Sequence, residues 1–516
     1  MVTAPPVFVL LLLVSQAWPP TGHLAAALGF DFHHRFSNRV RQWVESGNWV
    51  GGKHGPRSWP EMESVEYYAA LAGHDRGRRL TGADSPLTFS DGNETFRLST
   101  LGFLYYAEVS VGTPGVSFLV ALDTGSDLFW LPCDCKSCAP TSSQSYGLGR
   151  NSNFSIYSPR NSSTSKRLPC RSSFCENKIQ CSVEGSTSVC PYSITYVTAN
   201  TSTSGILVQD VLHLITDDYC RNAVQARIIL GCGQTQTGAF LKYAAPNGLF
   251  GLGLKANSVP SILSRAGITS DSFSMCFGKN GVGRIRFGDK GSSDQLQTPF
   301  ITHRSRAKPK YDVNVTSMRV ETSSAPGSFI ALVDSGTSFT SLADPAYTIL
   351  AESFNSMVQD QRGAPGPNFS FEYCYELRSN ESTVPTIGLI MEGGSEFPVA
   401  QPTILVSSSL RRYFCLGIIK STGINIIGQN FMEGLRIVFD REKLVLGWKE
   451  SSCLAPSPPP RTGPHVRRKV KQADVLLHRS PTVTGRSVTF TCPISYVPSN
   501  FAVFLWRPLP SRHVDW

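Results

Sequence analysis

Between residues 100 and 453 the apolar positions fall in short runs of Val, Ile, Leu, Phe and Tyr, with Thr among them, broken by Gly, Pro, Asn and Ser. Few stretches repeat at the helical period, so the pattern predicts strands. Such runs stand at Tyr105–Val111, Phe118–Leu122, Ile194–Val197, Ile228–Leu230, Ile330–Val333 and Leu435–Phe439. A mostly β fold follows, and 516 residues are too many for one core.

The flanks read differently. Val7–Val14 is an unbroken apolar run of eight, followed by Ser15, Gln16 and Ala17 and then by Ala25–Ala27, with no Lys or Arg ahead of it. That length suits a signal-peptide core and is too short for a bilayer. We expect a signal peptide over 1–25 and no transmembrane span. Residues 26–95 are polar and aromatic, with His33-His34-Arg35 and the dibasic Arg78-Arg79, and are expected to form a propeptide-like segment outside the main fold. After Cys453 come Pro456, Pro458, Pro459 and Pro460 and then the basic stretch Arg467–Lys471, so 454–516 is expected to be a disordered tail. Arg507, Arg512 and Asp515 interrupt its last segment, unlike the apolar end of a lipid-anchor signal. The tail is expected either to hold the protein at a membrane or wall surface or to reflect an unusual transcript end.

Within the β region two passages repeat. Tyr106–Val111 is followed by Leu119-Val120-Ala121-Leu122 and then Asp123-Thr124-Gly125-Ser126; Tyr311–Val315 is followed by Ile330-Ala331-Leu332-Val333 and then Asp334-Ser335-Gly336-Thr337. Each copy is a strand, a second apolar strand, and an Asp where that strand stops. Each closes on two apolar residues and a Gly, Phe250-Gly251 after Leu249 in the first and Ile426-Ile427-Gly428 in the second. One Asp-Ser/Thr-Gly merely marks a turn. Two in matching settings point to two related halves, 96–300 and 301–453.

If such halves pack face to face, Asp123 and Asp334 meet at the axis between them. Two adjacent carboxylates do not ionise independently, and the pair holds one proton over a window of acid pH. That state suits hydrolysis of a peptide: one member takes a proton from water, the other donates to the scissile carbonyl oxygen. Gly125 and Gly336 let the backbone approach. Thr124 and Ser335 offer hydroxyls across the axis, and Ser126 and Thr337 offer hydroxyls to the outer carboxylate oxygens.

Charge adds little. The net charge is +10, but 454–516 carries nine Lys/Arg against two Asp/Glu, which leaves only +2 for 91–453. No basic face is available for nucleic acid. Cysteine usage says more. Fourteen cysteines and seven sequons (Asn93, Asn153, Asn161, Asn200, Asn314, Asn368 and Asn380) fit an exported, disulfide-bonded glycoprotein better than a zinc protein. Setting Cys492 aside leaves an odd number, so the core has a free thiol or the tail supplies a partner. Gly248–Gly253 is read as a tight β turn rather than a nucleotide loop. His213, Ser261 and Asp271 fall in no nucleophile motif.

The two Asp loops resemble those of the pepsin-type aspartic proteases, and the cysteine-rich insert Cys133–Cys190 makes the chain most similar to the atypical, nepenthesin-like plant branch. The resemblance covers about 100–453. It implies a bilobal fold with a cleft between β lobes, Asp123 and Asp334 as the catalytic pair, polypeptide substrates and no cofactor or metal. It also implies a monomer in the secretory pathway, bound for the exterior, the cell surface or the vacuole. Trp130, in Asp127-Leu128-Phe129-Trp130, matches a Trp near the flap, and Tyr196 matches the flap ring that closes over substrate. The family's Gly-rich turn after that Tyr is replaced by Val197–Ser202, where a glycan on Asn200 would restrict substrate entry. Cys170 with Cys190, Cys175 with Cys181, and Cys374 with Cys415 are the implied bridges. The rival to an enzyme is an inert binding or inhibitor protein on the same fold, which commonly shows damage at a catalytic Asp or Gly; none is present here.

Overall fold

The structure is a computed structural model that describes residues 28–34, 37–45, 64–65, 67–68, 105–139, 155–176, 181, 188–196, 201–215, 223–242, 245–278, 282–301, 309–365, 369–377, 383–407 and 411–453. The expected signal peptide, the tail 454–516 and the turn holding Asn200 lie outside them. Among the described residues no helix is long and apolar enough to cross a membrane.

Among the described residues the strands form three sheets, of fourteen, seven and three strands. The strand Val116–Asp123 is buried from Phe118 onward, which is why it reads as a continuous apolar run rather than an alternating one. It lies antiparallel to Tyr105–Val111 and parallel to Leu249–Gly251, with Asp123 opposite Gly251. The second copy repeats the plan: Ser323–Val333 runs antiparallel to Asp312–Val320 and parallel to Asn425–Ile427. The sequence repeat is thus a structural repeat, and it delivers each Asp to the end of a buried strand.

The sheets do not divide where the repeat does. Leu435–Asp440 pairs with Ser272–Phe277, and Val445–Glu450 pairs with both Leu435–Asp440 and Leu296–Pro299. The end of the second half therefore belongs to the large sheet of the first. The Cys276–Cys453 disulfide fastens the same junction.

Two expectations need correction. First, the segment 26–95 does not stand wholly outside the fold. Leu28–His34 is a strand of the large sheet, between Val282–Phe287 and Tyr105–Val111. Leu28 and Phe32 are buried, and Gly283 makes room for the Phe32 ring, since a Cβ there would stand 1.9 Å from Cε2. Asp31 also pairs with the buried Arg284. Second, the bridges in the insert are Cys170–Cys181 and Cys175–Cys190, not the nested pairs. The Cys175 and Cys181 sulfurs still approach to 3.5 Å, so the four cysteines form one knot whose pairing spacing cannot decide. Cys374–Cys415 is formed, as are Cys133–Cys232 and Cys135–Cys138. Among the described residues no cysteine is free; Cys220 and Cys492 lie outside them.

Behind the first Asp loop, a buried cluster joins the halves. Asp127 accepts the Lys255 N–H at 3.0 Å. Arg441, from the second half, donates to Ser261 Oγ at 2.6 Å and to the Leu254 carbonyl at 3.3 Å, and pairs with Asp271. Burial raises Asp127 above the ordinary carboxylate range, against the Lys255 amide and the Lys255 and Arg441 charges, which lower it; Asp271 is pushed up by burial too.

Two outcomes follow. In the full-length chain Phe32→Ala costs about 3–5 kcal/mol, read from chemical denaturation, because it leaves a ring-sized void beside Gly283. Because the folded pKa of Asp127 is raised, its stability contribution is complete below 3.8 and is lost as pH climbs through the folded value. Asp127→Asn, which keeps an acceptor but does not titrate, should gain in melting temperature relative to wild type as pH rises from about 3 to 7.

Candidate active site

Each Asp loop closes on its own carboxylate. The Gly125 N–H donates to Asp123 Oδ1 at 2.9 Å and Ser126 Oγ donates to Oδ2 at 2.8 Å. In the second loop the Gly336 N–H donates to Asp334 Oδ1 at 2.9 Å and Thr337 Oγ1 donates to Oδ2 at 2.7 Å. The two sets match atom for atom, as a pseudo-twofold relation requires. With inner and outer oxygens both held, neither carboxyl can rotate freely.

The loops are then locked to each other. The Thr124 N–H donates to Ser335 Oγ at 3.2 Å, the Ser335 N–H donates to Thr124 Oγ1 at 3.0 Å, and Thr124 Oγ1 donates to the Val333 carbonyl at 3.1 Å. All of these groups are buried, as are Asp123 and Asp334, at 1% and 3% exposure. A Cβ on Gly125 would stand 3.1 Å from Asp123 Oδ1 and 3.2 Å from Asp334 Oδ1. One small volume is thus within reach of both inner oxygens, and it is open because residue 125 has no side chain.

Over the first loop sits an aromatic group. Tyr196 follows the strand Pro191–Thr195, which forms a hairpin with Ser202–Ile215. Trp130 Nε1 donates to the Tyr196 hydroxyl at 2.9 Å. Burial first, then the Asp123 charge, pushes the Tyr196 phenol well up. Phe240 completes the group, edge-on to Trp130 at 4.9 Å and to Tyr196 at 5.0 Å. No motif marks Phe240. The only signal in the sequence was an aromatic after Gly238-Ala239, where a chain turns.

All ten residues singled out from the sequence thus gather around the two loops. The alternatives do not. His213 Nε2 bonds the Gly112 carbonyl at 2.7 Å, and Ser261 and Asp271 belong to the Arg441 cluster. The sulfurs of Cys170, Cys175 and Cys181 lie within 4.8 Å of one another, as metal ligands would, but each is committed to a disulfide. Gly248–Gly253 supplies the short strand Leu249–Gly251 beside Asp123 and does not lead directly into a helix N-terminus, the next helix starting at Val259.

Comparisons with known proteins agree with this geometry. Models described as the xylanase inhibitor N-terminal and C-terminal domains match residues 105–289 and 310–450. The chain is 48% identical over 466 residues to aspartyl protease family protein 1 of Arabidopsis thaliana, covering 89% of this chain and 88% of that protein. It is 28% identical over 400 residues to aspartic proteinase nepenthesin-2 of Nepenthes gracilis, covering 73% and 84%. Conglutin gamma, a basic 7S globulin from lupine seeds, shares the fold, with a TM-score of 0.53 at 19% identity over 68% of this chain and 92% of the other. With both halves matched and nearly half the residues shared over most of the length, the protein belongs to the pepsin-like aspartic protease family, in its nepenthesin-like plant branch.

Proposed function

We propose that the protein is an aspartic endopeptidase that hydrolyses peptide bonds at acid pH through a water held between Asp123 and Asp334. The observation that carries this reading is the small volume beside Gly125 that both inner carboxylate oxygens reach. Charge repulsion between the pair favours a single shared proton. The ionised member takes a proton from the water as it attacks the carbonyl carbon, and the protonated member donates to the carbonyl oxygen. Collapse of the tetrahedral intermediate returns a proton to the leaving amine. Ser126 and Thr337 keep the outer oxygens occupied, so that the inner ones face the substrate. Tyr196 and Trp130 are the substrate-binding pair in this reading.

The chain is synthesised, in this proposal, as a precursor with a signal peptide, and it acts as a monomer outside the cell, at its surface or in the vacuole. Six described disulfides support export. So does the exposed sequon Asn161. Two observations support a covering role for the segment before residue 96. The Tyr68 ring lies 6.4 Å from Phe339, five residues beyond Asp334, and Ser64 bridges to Ser407. The rival reading, an inert binding or inhibitor protein on the same fold, draws on the description of the matched models. Both aspartates, both loop glycines and all four loop hydroxyls are intact, which favours the enzyme.

Asp123→Asn and Asp334→Asn should each lower cleavage of an unfolded protein at acid pH by at least ~10²–10⁴-fold, the range that acid–base groups supply, with secretion and melting temperature near wild type. A statine-type transition-state mimic should block the wild type. Full cleavage by either variant would sink the two-carboxylate mechanism, and a wild type that cleaves nothing at any pH would favour the inert protein. Gly125→Ala, which puts a methyl group where both inner oxygens reach, should abolish turnover while the protein still folds.

A further inference from the structure

Two tyrosines at the starts of the repeated first strands, neither of them in an Asp loop, cross between the halves in opposite directions. They occupy matching places in the repeat: Tyr106 lies opposite Ala121 and Asp312 opposite Leu332, each two residues before an Asp, so Tyr105 corresponds to Tyr311. The Tyr311 hydroxyl donates to the Leu252 carbonyl at 2.7 Å. Leu252 directly follows Gly251, and its own N–H donates to the Asp123 carbonyl at 2.9 Å. The Tyr311 carbonyl meanwhile accepts from the N–H of Val333, the residue before Asp334, at 3.0 Å. One residue therefore holds the backbone at both aspartates.

Tyr105 makes the reciprocal link. Its hydroxyl accepts from Gln429 Nε2 at 3.1 Å. Gln429 directly follows Gly428, and its N–H donates to the carbonyl of Thr337 at 2.8 Å, the residue whose hydroxyl holds Asp334 Oδ2. The rings share a floor. Phe277 packs edge-on to Tyr105 at 5.5 Å and Phe273 to Tyr311 at 6.2 Å, and both belong to the strand Ser272–Phe277. Tyr105 and Tyr311 are 2% and 0% exposed, so water cannot readily replace either hydroxyl.

We propose that Tyr105 and Tyr311 are a reciprocal pair of positioning residues, each standing in one half and fixing the loop beside the other half's aspartate, so that the two carboxylates keep their separation. The proposal rests on the endopeptidase reading and gives neither tyrosine a contact with substrate. Replacing either by Phe keeps the ring on its floor and removes only the tether. Reactions held in place this way are sensitive to displacements of an ångström or less.

The test compares Tyr105→Phe, Tyr311→Phe and the double variant with Tyr375→Phe. Tyr375 loses a similar bond, from its hydroxyl to Asn355 Oδ1 at 2.8 Å, inside the second half and away from the loops. Each tether variant should lower kcat about tenfold with KM within about twofold, and should draw together the two apparent pKa values of the pH–rate profile. Tyr375→Phe should lower the melting temperature without either change. Hydrogen exchange in the full-length chain gives a reading that needs no activity. Tyr311→Phe should speed exchange over 121–125 and 249–253, and Tyr105→Phe over 334–338 and 427–430, while Tyr375→Phe leaves all four unchanged. Unaltered exchange in these segments would overturn the tethers. So would a tether variant with wild-type kcat and pH profile. A wild type that lacks dyad-dependent cleavage would sink the endopeptidase reading while exchange still decides the tethers.

Discussion

Thr124 and Ser335 exchange hydrogen bonds across the line between the halves, and the rest of the site is registered to that exchange. Each bond contributes only about 0.5–1.5 kcal/mol net, so three of them do not hold two halves together. Their importance lies in the penalty for misplacement. Every group involved is buried, and a buried donor or acceptor left unpaired costs about 1–3 kcal/mol. A shift of either loop breaks several at once, so a narrow set of geometries satisfies them all, and that set puts Asp123 and Asp334 face to face.

The association of the halves comes from elsewhere. Burial of apolar surface across the shared sheet supplies it, through Phe273, Tyr311 and Phe439, whose rings meet at 4.7–6.2 Å where the strands of the two halves pair. Non-directional burial makes the interface and directional bonds choose its register. The strand Leu28–His34 lies within the same sheet: Phe32 meets Tyr105 at 5.0 Å and Phe277 at 5.4 Å, so this N-terminal strand is packed into the wall that supports the site.

The Asp loops were legible because their signal is local and repeated: an apolar strand, Asp, a hydroxyl residue, Gly. The hydroxyls of Ser126 and Thr337 could be assigned to their own carboxylates from the neighbouring chain alone. What depends on distant partners was not legible. Nothing in Ser272–Phe277 announces that it pairs with Leu435–Asp440, and so the boundary of the second lobe was drawn by the repeat rather than by the sheet. The alternation Leu28, Phe30, Phe32 sits in polar surroundings, and its complement is a bare Gly283 about 250 residues away. The insert's bridges differ from those the resemblance implies: four sulfurs converge in one knot, where either pairing is within reach. Tyr105 and Tyr311 read as core aromatics, which they are; only the direction of each hydroxyl adds a second role.

The proposed hydrolysis needs one proton shared between the two carboxylates of the interlocked loops. Neutron diffraction from crystals of the deuterium-exchanged protein at acid pH tests it most directly. A single deuteron is expected between the inner oxygens of Asp123 and Asp334, with a solvent molecule bonded to both. Two bare carboxylates, or a deuteron on each with no solvent bridging them, would contradict it.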